Sequence, residues 1–95
     1  MIRLVWRQMA IQDRENIMDY ISLDNPIAAI DLDDDFEVKA EQARRRPTLY
    51  KIGRVENTRE IVVRPNYVMV YCIEDEGRTV AILRVLHASQ QWPNI

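Results

Sequence analysis

Residues 59–92 read REIVVRPNYVMVYCIEDEGRTVAILRVLHASQQW, and this stretch decides the fold. It contains three apolar, β-branched runs, at 61–63, 67–73 and 80–86. Pro65-Asn66 and the segment from Glu74 to Gly77 separate these runs with residues that favour tight turns. The pattern predicts an antiparallel meander. Because the last two runs are apolar at almost every position, we expect both sheet faces to be covered, one by helices and the other by a partner or a ligand.

The residues before this stretch predict a strand and a helical hairpin. Residues 1–6 alternate in polarity, as in a half-buried strand, and from about Met9 the apolar spacing becomes helical. A second helix begins near Pro26, with Asn25 as its N-cap, and its core stripe comprises Ala29, Leu32, Phe36, Ala40 and Ala43. The predicted fold class is therefore α+β: an N-terminal strand, a helical hairpin and an antiparallel meander sheet packed on the helices.

Composition limits the possible function classes. The 95 residues, 47% hydrophobic and 29% charged, predict a single domain over residues 1–95. The sequence shows no secretion signal, and its apolar runs fall far short of the roughly 20 residues of a membrane span, so we expect a cytoplasmic protein without a membrane partner. One histidine, one cysteine and two glycines predict no metal site, no glycine-rich phosphate loop and no cofactor.

Charge is distributed unevenly along the chain. Residues 1–43 carry four Lys/Arg and ten Asp/Glu, whereas residues 44–95 carry nine Lys/Arg and five Asp/Glu. A polyanion would therefore meet the second half. The alternative is that the acidic run solvates one face of a helix.

The end of the last strand carries the candidate functional residues. His87 is placed to act as a general acid or base, Trp92 could stack on a nucleic-acid base, and Gln90 and Gln91 could bond base edges or phosphates. Each residue also has a structural alternative. His87 could be a surface or capping residue, Trp92 could hold the C-terminal tail against the sheet, and Arg84 could form a salt bridge.

An ordered set of segments resembles the RelE/ParE superfamily of bacterial toxins, with the nearest likeness to the RelE/StbE type. The segments are DNPIAA at 24–29, Gly53-Arg54, TREIVV at 58–63, NYVMVY at 66–71 and ILRVLH at 82–87. The resemblance implies a toxin of a type II toxin–antitoxin module, inactivated in a hetero-oligomer by its cognate antitoxin. It implies one of two activities: RelE-like members cut mRNA on the ribosome, whereas ParE-like members inhibit DNA gyrase and cut nothing.

The first of these activities is the predicted one, so we expect a ribosome-dependent, metal-independent mRNA interferase. Its catalytic residues would be His87 and Arg84. Its nucleic-acid-binding residues would be Arg59, Arg64, Tyr67, Tyr71, Gln90, Gln91 and Trp92. Basic residues of RelE enzymes are replaced here by Val68 and Ala88, and Cys72 stands where many relatives have arginine. These departures keep two alternatives open, a ParE-like gyrase inhibitor and an attenuated toxin that mainly binds its antitoxin.

Overall fold

The computed structural model describes residues 1–93 and confirms the predicted α+β fold. In chain order the elements are β1 (Arg3–Trp6), α1 (Gln8–Ser22), α2 (Pro26–Arg45), β2 (Lys51–Ile52), β3 (Arg59–Arg64), β4 (Tyr67–Glu74) and β5 (Thr79–His87). A 3-10 turn, Asp75–Gly77, joins β4 to β5, with Gly77 in the left-handed region at φ 87°.

The five strands form one sheet in the order β1-β5-β4-β3-β2. Strands β2 to β5 pair antiparallel, as the meander pattern predicts. The first strand pairs parallel with the last, with Arg3 opposite Thr79 and Trp6 opposite Ile82. The sheet is therefore mixed, and β1 and β5, which are far apart in sequence, are neighbours in it.

The helical hairpin covers one side of the sheet, which we call the helix face. The α2 stripe of Ala29, Leu32, Phe36, Ala40 and Ala43 is buried as predicted. The side-chain oxygen of Asn25 accepts a hydrogen bond from the Ala28 N–H at 3.1 Å, which is the predicted N-cap. The sheet side chains in this core are Ile61, Val63, Met69, Tyr71, Val80, Ile82 and Val85.

The opposite side of the sheet, which we call the tail face, carries Glu60, Val62, Val68, Val70, Cys72 and Leu86. Val70 is 0% and Leu86 2% exposed although no helix covers them. The Trp92 ring lies 5.6 Å from the Arg84 guanidinium, and Arg84 is opposite Val70 in the β4–β5 register. The chain's own C-terminal tail, residues 88–93, thus covers part of this face. The expectation that a partner or ligand must cover it was wrong for this part.

A tight loop brings residues 53–58 back to the sheet. The Gly53 N–H donates to the Thr58 carbonyl at 2.8 Å. A Cβ on Gly53 would lie 2.3 Å from the Thr58 hydroxyl oxygen, so close approach requires this glycine, and it does not have positive φ. The loop places Arg54 at the border of the tail face.

Candidate functional site

His87 lies at the end of β5, on the same side of the sheet as the helices. Its ring makes an edge contact with Tyr67 at 5.3 Å between centroids, and Tyr67 makes a similar contact with Phe36 at 5.9 Å. These three rings form a continuous aromatic row from the core to the sheet end. Tyr67 is partly buried in this row.

The hydrogen bonds of His87 define its neutral tautomer. Its Nδ1 accepts from the Ser89 backbone N–H at 3.2 Å and lies 2.7 Å from the Ser89 hydroxyl. Because Nδ1 accepts, the proton of the neutral ring is on Nε2. His87 is therefore set to donate a hydrogen bond from Nε2, and a general base at that atom would need the other tautomer.

Arg84, the second predicted catalytic residue, is on the opposite side of the sheet from His87. The register shifts between Val70 and Tyr71, whose partners are Arg84 and Ile82, and this β-bulge at Leu83 changes the alternation of β5. Strict alternation along β5 would place Arg84 on the same face as Val80 and Ile82, but the bulge places it on the opposite face.

Asp13 of α1 binds Arg84 through two hydrogen bonds, of 2.7 and 3.0 Å. The hydrogen bonds that Arg84 donates to Asp13 raise the pKa of Arg84, so the guanidinium remains protonated. The Asp13 carboxylate also accepts from the Val85 N–H at 2.9 Å, beyond the end of the β1 pairing. This is the salt bridge that the sequence offered as the structural alternative for Arg84.

The two predicted phosphate-binding arginines of β3 are engaged by the chain itself. Arg59 donates to the carbonyl of Tyr50 at 2.7 Å and fixes the segment after α2. Arg64 donates to Asp35 of α2 at 2.7 Å. Both side chains hold other elements against the sheet.

Tyr71 cannot stack on a base, which corrects its predicted role. The residue is 0% exposed, and its hydroxyl donates to the Pro47 carbonyl at 2.6 Å. Burial raises the pKa of Tyr71 to about 12. A buried tyrosine needs a hydrogen-bond partner for its hydroxyl, and here that partner is far away in sequence. The alternation of residues in the strand could not therefore show that Tyr71 is buried.

The predicted tail residues form a small structural unit. The Gln90 side-chain oxygen accepts from the His87 N–H at 2.8 Å, and the Gln90 N–H donates to the His87 carbonyl at 2.9 Å. Trp92 is partly buried over Arg84, as the tail-anchoring alternative predicts, whereas Gln91 is exposed. A shallow cleft of about 550 Å³ is lined by Arg54, Gln90, Gln91, Trp92 and Pro93.

Glu60 is a buried charge that the sequence analysis did not identify. Its side chain is 3% exposed and accepts from the Arg54 backbone N–H at 3.0 Å and from Arg54 Nε at 3.1 Å. Burial acts to raise the pKa of Glu60, but the Arg54 hydrogen bonds and the Arg54 and Lys51 charges outweigh it and hold the pKa below its usual range. The available signal was a single carboxylate within an otherwise apolar strand.

Cys72 is on the tail face beside an ion pair between Arg7 and Glu74. Its thiol donates to the Glu74 carboxylate at 3.3 Å. Burial, together with this hydrogen bond and the Glu74 charge, raises the pKa of Cys72 to about 11. The thiol is thus protonated and unreactive at neutral pH.

Two further properties concern the part of the chain that the structure describes. Residues 1–93 contain no group of three or more His, Cys, Asp or Glu side chains able to hold a metal ion. Neither α1 nor α2 is long and apolar enough to cross a membrane.

Comparison with known proteins places this geometry in context. Residues 4–92 match the family model described as ParE toxin of type II toxin-antitoxin system, parDE. The protein Y4kP of Sinorhizobium fredii is 33% identical over 94 residues, which cover 98% of this chain and 95% of that protein.

Solved structures share the fold. A chain of the chromosomal ParDE system of P. aeruginosa superposes with a TM-score of 0.81 at 19% identity, over 94% of this chain and 98% of that one. A chain of the intact E. coli RelBE toxin-antitoxin complex gives 0.67 at 16% identity, over 95% and 100%. At these identities the structural likeness shows the fold alone.

Proposed function

Because the chain belongs to the ParE family of toxins from type II toxin-antitoxin systems, we propose that it arrests growth by inhibiting DNA gyrase and does not itself cleave RNA. The observation that carries this proposal is the separation of the candidate catalytic groups. His87 contacts the aromatic row on the helix side, and Arg84 lies under Trp92 on the tail face.

Metal-independent RNA cleavage needs a base for the 2'-hydroxyl, an acid for the leaving oxygen and a cation for the phosphate, all within reach of one phosphate. Here Asp13 already neutralises Arg84, and Asp35 neutralises Arg64. Removing either carboxylate from its arginine would leave a partly buried charge unpaired. These contacts support a toxin that acts by binding.

Inhibition by binding requires none of these chemical groups. It requires a stable surface and a means of control, and the control in this family is an antitoxin. We therefore infer that the cognate antitoxin is the resting partner and that gyrase is the target after its release.

The test measures both activities with purified toxin. We expect toxin to inhibit gyrase supercoiling of relaxed plasmid and to leave mRNA intact on translating ribosomes. His87→Ala should inhibit gyrase and arrest growth as the unmodified chain does. The matched control is Tyr20→Ala, which changes an exposed α1 residue outside the candidate site and should also leave both activities unchanged.

One observation favours the alternative of ribosome-dependent mRNA cleavage. Within residues 1–93 the Nε2 of His87 has no hydrogen-bond partner, so the imidazolium form of the ring could donate its Nε2 proton to a leaving oxygen on a bound transcript and return to the neutral ring. Cuts within translated codons that appear with the unmodified toxin and disappear with His87→Ala would establish this activity and overturn the gyrase proposal. Absence of growth arrest at matched protein levels would instead identify an attenuated toxin.

A further inference from the structure

The segment that leads from the end of α2 into β3, residues 44–59, is strongly basic, and we call it the basic segment. It carries six Lys/Arg and one Asp/Glu, whereas the whole chain carries thirteen Lys/Arg and fifteen Asp/Glu. Clustered charge of this kind creates a local positive field even on a protein whose net charge is negative. The basic segment is therefore the part of the chain that a polyanion would meet.

The cations of the basic segment are exposed and only partly neutralised. The side chains of Arg45 and Lys51 are 71% and 67% exposed, and that of Arg54 is 49% exposed. Arg46 is also exposed, and within residues 1–93 it has no ion-pair partner. Lys51 and Arg54 share the carboxylate of Glu60, which is only 3% exposed. The shared carboxylate thus lies beneath the two cations and leaves positive charge at the surface.

Contacts with the sheet hold the basic segment in one conformation. Arg59 donates to the carbonyls of Thr48 and Tyr50 at 3.3 and 2.7 Å. The hydrogen bond from the Gly53 N–H to the Thr58 carbonyl closes the loop that follows. A surface that is fixed in this way loses little conformational freedom when it binds a partner.

The arrangement of the exposed cations fits a linear polyanion. Arg46 directly follows α2, Lys51 lies in the edge strand β2, and Arg54 borders the tail face, so the charges follow the β2 edge of the sheet. Duplex DNA presents one phosphate charge per roughly 1.7 Å of its axis, so it offers an acceptor to each of these cations. Gyrase acts on DNA, and a toxin bound to that enzyme is brought close to its DNA.

We propose that the basic segment binds the phosphate backbone of the DNA duplex that gyrase holds, so that the toxin binds the enzyme–DNA complex more tightly than the free enzyme. The choice of DNA as the polyanion rests on the proposed function, whereas the basic surface itself does not. The polyanion contact that the charge distribution predicts is thereby assigned to the segment before β3, because the arginines of β3 and β5 are engaged within the chain.

The first measurement is the affinity of purified toxin for a short fluorescein-labelled DNA duplex, followed by fluorescence anisotropy over a range of salt concentrations. The basic-segment variant, Arg46→Gln with Lys51→Gln, should bind the duplex several-fold more weakly at low salt. It should also lower the slope of log K against log salt by about two, because each lost phosphate contact contributes about 0.9. Its melting curve should match that of the unmodified toxin, since both side chains are exposed.

The matched control is Arg7→Gln with Arg78→Gln, which removes the same amount of positive charge. These two arginines pair with Glu74 and Asp75, so they leave little positive charge unneutralised. Their removal should change duplex binding by less than about twofold and should leave the salt slope nearly unchanged.

The second measurement compares the binding of toxin to gyrase in the presence and absence of the same duplex without its label. The unmodified toxin should bind the gyrase–DNA complex several-fold more tightly than gyrase alone. The basic-segment variant should lose this difference and still bind gyrase alone.

Equal duplex binding by the unmodified toxin and the basic-segment variant would overturn the proposal. Tighter binding of a single-stranded RNA of the same length would identify RNA as the ligand and would also overturn it. Supercoiling that the basic-segment variant inhibits as strongly as the unmodified toxin would contradict this inference and leave the gyrase proposal standing. Duplex binding through the basic segment without any inhibition of supercoiling would instead contradict the gyrase proposal and leave the segment as a DNA-binding surface.

Discussion

Both faces of the sheet contain buried apolar side chains, yet they are closed by different means. On the helix face, large apolar side chains such as Phe36, Met69 and Ile82 pack at 0% exposure. On the tail face, Val70 and Leu86 are as deeply buried, but charged residues surround them, with Glu60 holding Arg54 and Asp13 holding Arg84. The difference teaches that apolar packing determines the fold on one side, while specific ion pairs attach loops and tail on the other.

The largest expected effect is on the helix face. Phe36→Ala should lower the free energy of unfolding by about 3–5 kcal/mol, because it leaves a cavity against Tyr67 and the core. Urea denaturation checks this value, with Val38→Ala on the exposed side of the same helix as the control. A loss below about 1 kcal/mol would mean that the helix face does not dominate stability.

A smaller loss is expected at the ion pair between α1 and β5. Asp13→Asn should cost about 2 kcal/mol, because the partly buried Arg84 guanidinium loses its counter-charge and a charged hydrogen bond. Denaturant unfolding again provides the measurement, and the exposed Asp19→Asn is the reference. Equal stability of the two variants would show that the pair only orients the tail.

The tail itself should matter less. Trp92→Ala should lower stability by about 1 kcal/mol, since the ring is partly buried and makes one cation–π contact with Arg84. Hydrogen exchange should show faster exchange of the Gln90 amide, with amides of β4 unaffected. Faster exchange throughout β4 would contradict this prediction, because it would show that the tail stabilises the whole sheet.

The smallest expected effect is at Cys72 on the tail face, whose thiol should have almost no effect on stability at neutral pH. Its pKa of about 11 compared with the usual 9.0 predicts alkylation at pH 8 roughly a hundredfold slower than that of an ordinary thiol. The unfolded chain ionises this thiol near its usual pKa, so the thiol's stabilising contribution is complete below pH 9 and lost as the pH rises through 11. The Cys72→Ser variant lacks this thiol, so its stability should fall less above pH 9 than that of the unmodified chain. The fall that remains comes from Tyr71, whose pKa is also raised by burial. Rapid alkylation of folded protein would show that the tail face is open.

The sequence was sufficient for the elements whose signals are local. Helical spacing identified the Phe36 stripe, and the Asn25-Pro26 pair identified the start of α2. The parallel pairing of β1 with β5 has no local signal, because it joins strands from opposite ends of the chain.

The candidate site was less predictable because its residues depend on distant partners. The bulge at Leu83 moved Arg84 to the other face, and no residue near Arg84 in sequence indicates Asp13 as its partner. The strand pattern predicted an accessible Tyr71, but the Pro47 carbonyl and the helices enclose its side chain. The residue types suggested which side chains could form a site, but they did not show which of those side chains are already bound to distant parts of the chain.

The pairing of β1 with β5 also has a consequence for the synthesis of the protein. On the ribosome, residues 3–6 are made long before their partner residues 79–82. Until those residues emerge, the Arg3–Trp6 segment has no strand to pair with and the nascent chain cannot complete its sheet. Closing such a long loop is slow compared with forming the helical hairpin, which needs only local contacts. A chain of this toxin family therefore acquires its complete folded surface only late in its synthesis.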